Sequence, residues 1–243
     1  INDSSSVRPA TQARVEAAIA ELGFRPNAIA QFMATGSTHA LTCLSPNLTD
    51  YTFACIIEGA EQEARRQGYF LFSASAPDES TFDLLVDQMI ASRRTEGLLV
   101  INPYADDRFT MLPQSVPTVF VGARPRAESV DSVALDDVGA GRLATQHLLA
   151  RGHRRVGVIC GPAVEDCTQD RLAGYQAALA DAGLPCDDAL VMEGDWSATS
   201  GYHALTRLLA LASPPTAIFA QNDRMAIGVL RAARDRGLHI PLD

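Results

Sequence analysis

The chain has 243 residues, of which 47% are hydrophobic and 20% are charged. This composition is typical of a soluble globular protein, and the length allows one large α/β domain or two domains of about 100 residues each. The longest apolar runs are strand-sized, well short of the ~20 residues that span a bilayer, and no export signal opens the chain. These features exclude a membrane-spanning class and favour a cytoplasmic location.

The net charge of −9 does not exclude nucleic-acid binding, because the charge is unevenly distributed. Residues 1–36 carry three arginines and three carboxylates, so this head is neutral and the acidic excess lies in the remainder. An acidic body does not attract phosphates, but it does not prevent a separate head from binding them. Charge alone leaves DNA binding open.

The five cysteines are odd in number and scattered, with no Cys-x-x-Cys pair. This spacing argues against both a disulfide framework and a zinc site. We interpret Cys43 and Cys160 as small apolar residues of strands. The sequence therefore predicts neither a bound metal nor a cofactor.

The head has its own pattern. A helix with one buried face is predicted by the spacing of Val15, Ala18, Ile19 and Leu22. Pro9 suits its first turn and Gly23 its C-terminal cap. A second segment, NAIAQFMA at 27–34, is so short that it is either an ordinary linker or a helix that orders only when a partner binds.

The remaining chain alternates apolar strands with amphipathic helices. The predicted strands are 40–45, 69–75, 97–102, 118–122, 132–135, 155–161, 189–193 and 216–220; the predicted helices are 53–67, 81–93, 138–151, 169–182, 198–211 and 224–236. This alternation predicts an α/β fold with parallel sheets. Because the pattern restarts after residue 135, we predict two tandem lobes whose strand ends face one shared cleft.

The sequence shows no enzyme signature. It contains no phosphate-binding loop, no nucleophile elbow and no paired-histidine metal helix. Gly139 and Gly141 form only part of a dinucleotide fingerprint, and helix packing is the better interpretation. Asp136 and Asp137 are interpreted as N-terminal caps of the following helix. We predict that the protein is not an enzyme.

Polar and aromatic residues follow the predicted strands, where such sheets bind ligands. Amides, carboxylates and a guanidinium can bridge the hydroxyl groups of a sugar, and an indole can cover its C–H face. Ordinary alternatives exist: Asn222 as a turn former, Trp196 as a core anchor and Arg171 as a helix-surface charge. From their shared placement, the predicted ligand residues are Asn47, Tyr51, Asn102, Glu165, Arg171, Trp196 and Asn222.

Three groups of residues together resemble the lactose-repressor/galactose-repressor family of bacterial transcription regulators. They are VRPATQARVEAAIAELGFRPN at 7–27, GP at 161–162 with RLAGY at 171–175, and GDWSA at 194–198 with NDRMAIG at 222–228. The resemblance implies two tandem Rossmann-like lobes, like type I periplasmic binding proteins, behind a helix-turn-helix domain. It also implies that the chain is a fragment of a longer repressor.

The resemblance predicts four segments: 1–23 as a remnant of the helix-turn-helix domain, 24–38 as the hinge, 39–134 as the N-terminal effector-binding lobe and 135–243 as the C-terminal lobe. It places Asn27, Ala30 and Met33 in the hinge, with Met33 as the apolar wedge that kinks DNA from the minor groove. By the same resemblance, five of the predicted ligand residues match cleft positions of the family: Asn47, Asn102, Arg171, Trp196 and Asn222. Glu165 corresponds to a specificity position in the purine-binding relatives.

We therefore expect a dimeric, ligand-responsive repressor whose effector, a sugar rather than a purine, controls binding to operator DNA through the hinge. The alternative class is a free-standing solute-binding receptor that feeds a transporter. Such a receptor shares the cleft, but it needs a signal peptide and has no use for a hinge helix.

Overall fold

Strands and helices alternate along most of the chain, as the sequence predicts. The computed structural model describes residues 8–24, 36–92, 94–101, 108–122, 124 and 131–243. The strands are β1 (Ala40–Ser45), β2 (Phe70–Ser75), β3 (Gly97–Ile101), β4 (Thr118–Val121), β5 (Asp131–Val133), β6 (Val156–Cys160), β7 (Val191–Glu193) and β8 (Ala217–Ala220). The helices are α1 (Pro9–Leu22), α2 (Tyr51–Arg66), α3 (Glu79–Ala91), α4 (Asp137–Ala150), α5 (Asp166–Asp181), α6 (Ala198–Leu209) and α7 (Asp223–Asp235), with short 3₁₀ turns at Arg108–Met111 and Asp188–Leu190.

The strands form two separate parallel sheets. The first has the order β2-β1-β3-β4-β5 and the second the order β7-β6-β8. Four pairs of consecutive parallel strands are joined by a crossover helix: β1 and β2, β2 and β3, β6 and β7, and β7 and β8. This arrangement confirms the predicted α/β class with two Rossmann-like lobes. No helix among the described residues is both long and apolar enough to cross a bilayer.

The inner strands carry the core of each lobe. All residues of β6 are buried, and Cys43 of β1 and Cys160 of β6 are 0% and 3% exposed. Burial raises the pKa of the Cys43 thiol to about 11 and that of Cys160 to about 12. Both cysteines are therefore apolar core residues, as predicted.

Several helices begin earlier than their apolar period predicts. Helix α2 begins at Tyr51 rather than at residue 53, because the Asp50 carboxylate accepts a hydrogen bond from the Thr52 N–H at 2.9 Å. Asp136 caps α4 in the same way, accepting from the Gly139 N–H at 2.8 Å. A capped first turn is polar, so the apolar period becomes visible only after it.

The head helix α1 forms as predicted, but its apolar face is exposed. Gly23 closes it in the left-handed conformation, with φ of 59°. None of its residues is buried, and Leu22 is 79% exposed. Burial of this face stays a prediction, because amphipathic spacing indicates that a packing partner is needed without identifying it. The hinge residues Asn27, Ala30 and Met33 lie outside the described residues.

Glycines let helices α4 and α5 approach to backbone contact. A Cβ atom on Gly141 would lie 2.2 Å from the carbonyl oxygen of Arg171, and one on Gly174 would lie 2.1 Å from that of Val138. Helix packing therefore explains Gly141, as the sequence analysis expected. A Cβ on Gly139 would instead meet the capping carboxylate of Asp136.

Substitution Gly141→Ala should lower the free energy of unfolding by about 1–3 kcal/mol, because the new methyl group must separate two helix backbones. The matched control is Gly59→Ala in α2, where nothing lies within 4 Å of the added Cβ. Alanine there should stabilise the helix by roughly 0.5–1 kcal/mol. Chemical denaturation followed by circular dichroism measures both, and equal stability of Gly141→Ala and the wild type would contradict the packing.

Candidate functional site

The carboxyl ends of β6, β7 and β8 bring four of the predicted ligand residues into one connected group. Glu165 precedes α5 and Arg171 lies in its second turn, while Trp196 follows β7 and Asn222 follows β8. Since parallel strands end on the same edge of a sheet, this placement follows directly from the topology. We call these four residues the cleft cluster.

Glu165 and Trp196 are joined by a hydrogen bond. The indole Nε1–H donates to Oε2 of Glu165 at 3.0 Å. Burial raises the pKa of the Glu165 carboxyl above its usual value, while the hydrogen bonds from Trp196 and Cys167 lower it in part and the negative charge of Asp50 raises it further. The group is therefore a desolvated acid with a fixed orientation.

Trp196 has an unusual backbone conformation. Its φ of 67° lies in the left-handed region, which a bulky residue adopts only when its surroundings hold it there. The Asn222 Nδ2–H donates to the Trp196 carbonyl oxygen at 3.1 Å. The indole covers Gly161, where an added Cβ would lie 2.0 Å from a ring atom. The conformation of Trp196 therefore requires a residue without a side chain at position 161 and the hydrogen bond from Asn222.

Arg171 is held on two sides rather than lying free on the helix surface. Its Nε–H donates to Asp137 Oδ1 at 2.8 Å and its Nη1–H donates to the Gln221 carbonyl oxygen at 2.7 Å. The side chain is 22% exposed, and its guanidinium carbon lies 5.8 Å from the Trp196 ring centroid. A cation fixed beside an indole can donate hydrogen bonds to an oxygen-rich ligand.

Asn222 also has a structural role. It is the N-cap of α7, and its Oδ1 accepts from the Met225 N–H at 2.8 Å. Because its Nδ2–H donates to Trp196, the oxygen and the nitrogen of the Asn222 amide are both hydrogen-bonded within the protein. The turn-forming interpretation is therefore correct, and contact with a ligand stays a prediction for this residue.

The first lobe contributes the loop between β1 and α2. Asn47 Oδ1 accepts from the N–H groups of Thr49 and Asp50, at 3.0 Å and 2.7 Å. Tyr51 begins α2 and is 80% exposed. This loop faces the second lobe, because Asp50 Oδ2 lies 3.7 Å from Arg224 Nη1. Asn102 lies outside the described residues, so its place in the cleft stays a prediction.

The sequence analysis missed two residues that support the cleft cluster. Gln221 is 5% exposed; its Oε1 accepts from the Gly161 N–H at 3.1 Å, and its Nε2–H donates to the Thr168 carbonyl oxygen at 3.2 Å. It comes directly after β8, so the strand-end rule could have found it. Asp137 was assigned only to capping, and its ion pair with Arg171 has no signal in the sequence.

The described residues include no group of three or more histidine, cysteine, aspartate or glutamate side chains placed to hold a metal ion. The cleft cluster is suited instead to binding an organic ligand. It combines one flat apolar ring with a carboxyl group and a guanidinium at fixed distances.

Residues 38–243 match the family model described as periplasmic binding proteins and sugar binding domain of LacI family. The HTH-type transcriptional repressor PurR of Salmonella paratyphi B is 33% identical over 247 residues, which covers 100% of this chain and 72% of that repressor. The chain belongs to the LacI family.

Solved structures of LacI-family regulators have the same fold. The transcriptional regulator CelR in complex with cellobiose superposes with a TM-score of 0.77 at 31% identity, covering 99% of this chain and 73% of CelR. The regulator CcpA of Lactococcus lactis gives a TM-score of 0.74 at 27% identity, covering 84% of this chain and 75% of CcpA. The predicted family is confirmed, and these LacI-family relatives are transcriptional regulators rather than enzymes.

Glu165 gives this LacI-family protein a measurable pH dependence. Its usual pKa is 4.5 and the folded-state pKa is higher, so the folded state holds the proton more tightly than the unfolded state. The stabilisation is present below pH 4.5 and is lost as the pH rises through the folded-state pKa. The stability of Glu165→Gln relative to the wild type should therefore increase as the pH rises above 4.5.

Denaturation at pH 5, 6 and 7 checks this expectation, and Glu96→Gln is the matched control. Hydrogen bonds from Ser37, His39 and Thr38 outweigh burial and lower the pKa of Glu96 from 4.5 to about 2. The usual and the folded-state pKa of Glu96 both lie below pH 5. The difference in free energy of unfolding between Glu96→Gln and the wild type should therefore stay constant from pH 5 to pH 7. A pH-independent difference for Glu165→Gln would refute the desolvated carboxyl.

Proposed function

We propose that this protein is an effector-responsive repressor that binds operator DNA as a homodimer in the cytoplasm and takes a carbohydrate in the cleft between its lobes. The observation that carries the proposal is the strained Trp196, held by Asn222 and hydrogen-bonded to Glu165. Strain at a residue on the ligand-binding edge of a sheet indicates function, because folding alone does not require it.

The head favours a regulator over a transport receptor. The family model begins at residue 38, yet the alignment with PurR covers 100% of this chain and that with CelR covers 99%. The similarity to these regulators therefore includes the segment that contains α1. We propose that residues 1–23 belong to a helix-turn-helix domain and that Asn27, Ala30 and Met33 belong to the hinge.

The chemistry of the cleft cluster favours a sugar. The indole of Trp196 offers a flat apolar face, while Glu165 and Arg171 can accept from and donate to neighbouring hydroxyl groups. No second aromatic ring is in direct contact with Trp196 among the described residues. CelR, whose structure contains cellobiose, has the same fold at 31% identity.

Effector control requires that the ligand prefer one arrangement of the lobes. A hundredfold difference in affinity between the two arrangements supplies roughly 2.7 kcal/mol. A hinge helix as short as 27–34 is marginal in water, so a change of this size is sufficient to form or melt it. We propose that the cleft acts on DNA in this way.

The effector class can be tested through Trp196, the single tryptophan of the chain. Its fluorescence reports the cleft directly, because the indole contacts Glu165 and lies beside Arg171. In a panel of sugars, sugar phosphates and purines, we expect a sugar such as cellobiose to change the emission and raise the melting temperature. A ligand at 100 times its Kd should add about 2.7 kcal/mol of stability. Stabilisation by purines alone would exclude the carbohydrate.

Regulation is tested separately with DNA duplexes selected by the intact protein from a random pool. We expect the identified sugar to change the affinity for the selected duplex by about tenfold. Glu165→Gln should reduce this response while leaving the affinity of the ligand-free protein unchanged. Equal binding with the cleft empty and saturated would contradict effector control.

A further inference from the structure

The two lobes are joined by a cluster of charges outside the cleft cluster. Arg124 lies in the first lobe, on the loop that follows β4, and it contacts the first two turns of α5 in the second lobe. Its partners are the carboxylates of Asp166 and Asp170. These residues are one helical turn apart, so their side chains lie on the same face of α5.

The contact between Arg124 and Asp170 has the geometry of a strong ion pair. The Arg124 Nε lies 3.0 Å and 2.9 Å from the two carboxylate oxygens of Asp170, and Nη2 donates to the same carboxylate. Asp170 raises the pKa of the guanidinium, with a smaller contribution from Asp166. A chelated carboxylate fixes both the distance and the angle between its two partners.

Asp166 makes the contact specific to one arrangement of the lobes. Its side chain is only 2% exposed, and its Oδ2 accepts a hydrogen bond from the Arg124 backbone N–H at 3.2 Å. The Arg124 Nη1 is 3.9 Å from Asp166 Oδ1. A buried carboxylate is costly unless it has hydrogen-bond donors or a cation beside it. For Asp166, the Arg124 N–H and guanidinium come from the opposite lobe. Separating the lobes would remove the N–H donor and the cation together.

Among the described residues, a second ion pair between the lobes is weaker by the same criteria. Arg224 Nη1 lies 3.7 Å from Asp50 Oδ2 and the arginine side chain is 61% exposed. An exposed pair of this kind contributes little, because water and salt screen it. The charge cluster at Arg124 is therefore the electrostatic contact that can resist separation of the lobes.

Helix α5 connects this contact to the ligand. Glu165 and Arg171 of the cleft cluster are the immediate sequence neighbours of Asp166 and Asp170. Successive helix positions differ by 100°, so the first two turns of the helix, with the preceding Glu165, place Glu165 and Arg171 on the side of the cleft cluster and Asp166 and Asp170 on the side of the opposite lobe. A change in the angle between the lobes must therefore move both sets of side chains.

We propose that Arg124 and Asp170, with Asp166, form an interlobe latch that holds the first lobe at a fixed angle to the second lobe, which carries the cleft cluster. This inference rests on the proposed function only for its biological purpose, because the latch itself is a property of the ligand-free protein. Arg124 and Asp170 act as positioning residues: they set the arrangement of the lobes that a ligand meets.

The test measures the distance between the lobes with spin labels on two native thiols. Cys55 in α2 and Cys186 after α5 are exposed and lie in different lobes, while Cys43 and Cys160 are buried. Labelled protein is diluted with unlabelled protein, so that only distances within one chain are recorded. Cys55→Ser and Cys186→Ser identify signals from labels at other positions.

The latch predicts a specific order of effects. Arg124→Gln and Asp170→Asn should each increase the population at longer distances about tenfold, the size expected for losing a charge-assisted hydrogen bond. Arg224→Gln, the control, should leave the distribution unchanged. The exchange of charges, Arg124→Asp with Asp170→Arg, should restore the short distance in part. Distributions of Arg124→Gln and Asp170→Asn that superpose on the wild type, or an equal change in Arg224→Gln, would overturn the latch.

A second measurement needs no substitution and covers the case in which a variant does not fold. Because the Arg124 side chain is 42% exposed, raising NaCl from 0.05 M to 1 M should screen the pair and lengthen the distances in the wild type. A distribution that is independent of salt would overturn the proposal. Neither measurement uses ligand or DNA, so failure of the latch would leave the proposed repressor function standing, and failure of repression would leave the latch standing.

Discussion

The backbone contact between helices α4 and α5 is the constraint that positions the side chains around Arg171. Because Gly141 and Gly174 have no side chains, the two helices meet at main-chain distance. This contact places Asp137, the first residue of α4, beside Arg171 of α5. Arg171 is in turn fixed on the Gln221 carbonyl at the end of β8, beside the Trp196 ring. The position of Arg171 thus depends on two buried glycines in the contact between the helices.

The strained tryptophan is stabilised by the same network. A left-handed bulky residue costs of order 1–3 kcal/mol, and a typical hydrogen bond contributes about 0.5–1.5 kcal/mol, more when one partner is charged. Trp196 has two such bonds, one from Asn222 to its carbonyl oxygen and one from its indole to Glu165. The strain and its compensation are therefore comparable. Removing either partner would leave the conformation of Trp196 without enough support.

Most of the fold could be predicted from the sequence, while much of the candidate site could not. Apolar runs and helical spacing identified the strands and helices, because burial imposes both patterns on local sequence. The strand-end rule selected Glu165, Arg171, Trp196 and Asn222, which the structure brings together. It could not reveal that Asn222 is engaged at both ends. Nor could it reveal long-range ion pairs, since residues 34 apart, such as Asp137 and Arg171, carry no mutual signal.

The acidic residues of this protein lie mainly in the lobes rather than in the head. At physiological salt, charges are screened beyond ~8 Å, so carboxylates farther than this from DNA do not repel it. Within the lobes, carboxylates such as Asp137, Asp166 and Asp170 are each placed beside an arginine. Glu165 differs, because its direct hydrogen bonds come from uncharged groups, the Trp196 indole and the Cys167 thiol. Glu165 is therefore a desolvated carboxyl whose nearest hydrogen-bond donors are neutral, and this is why burial raises its pKa.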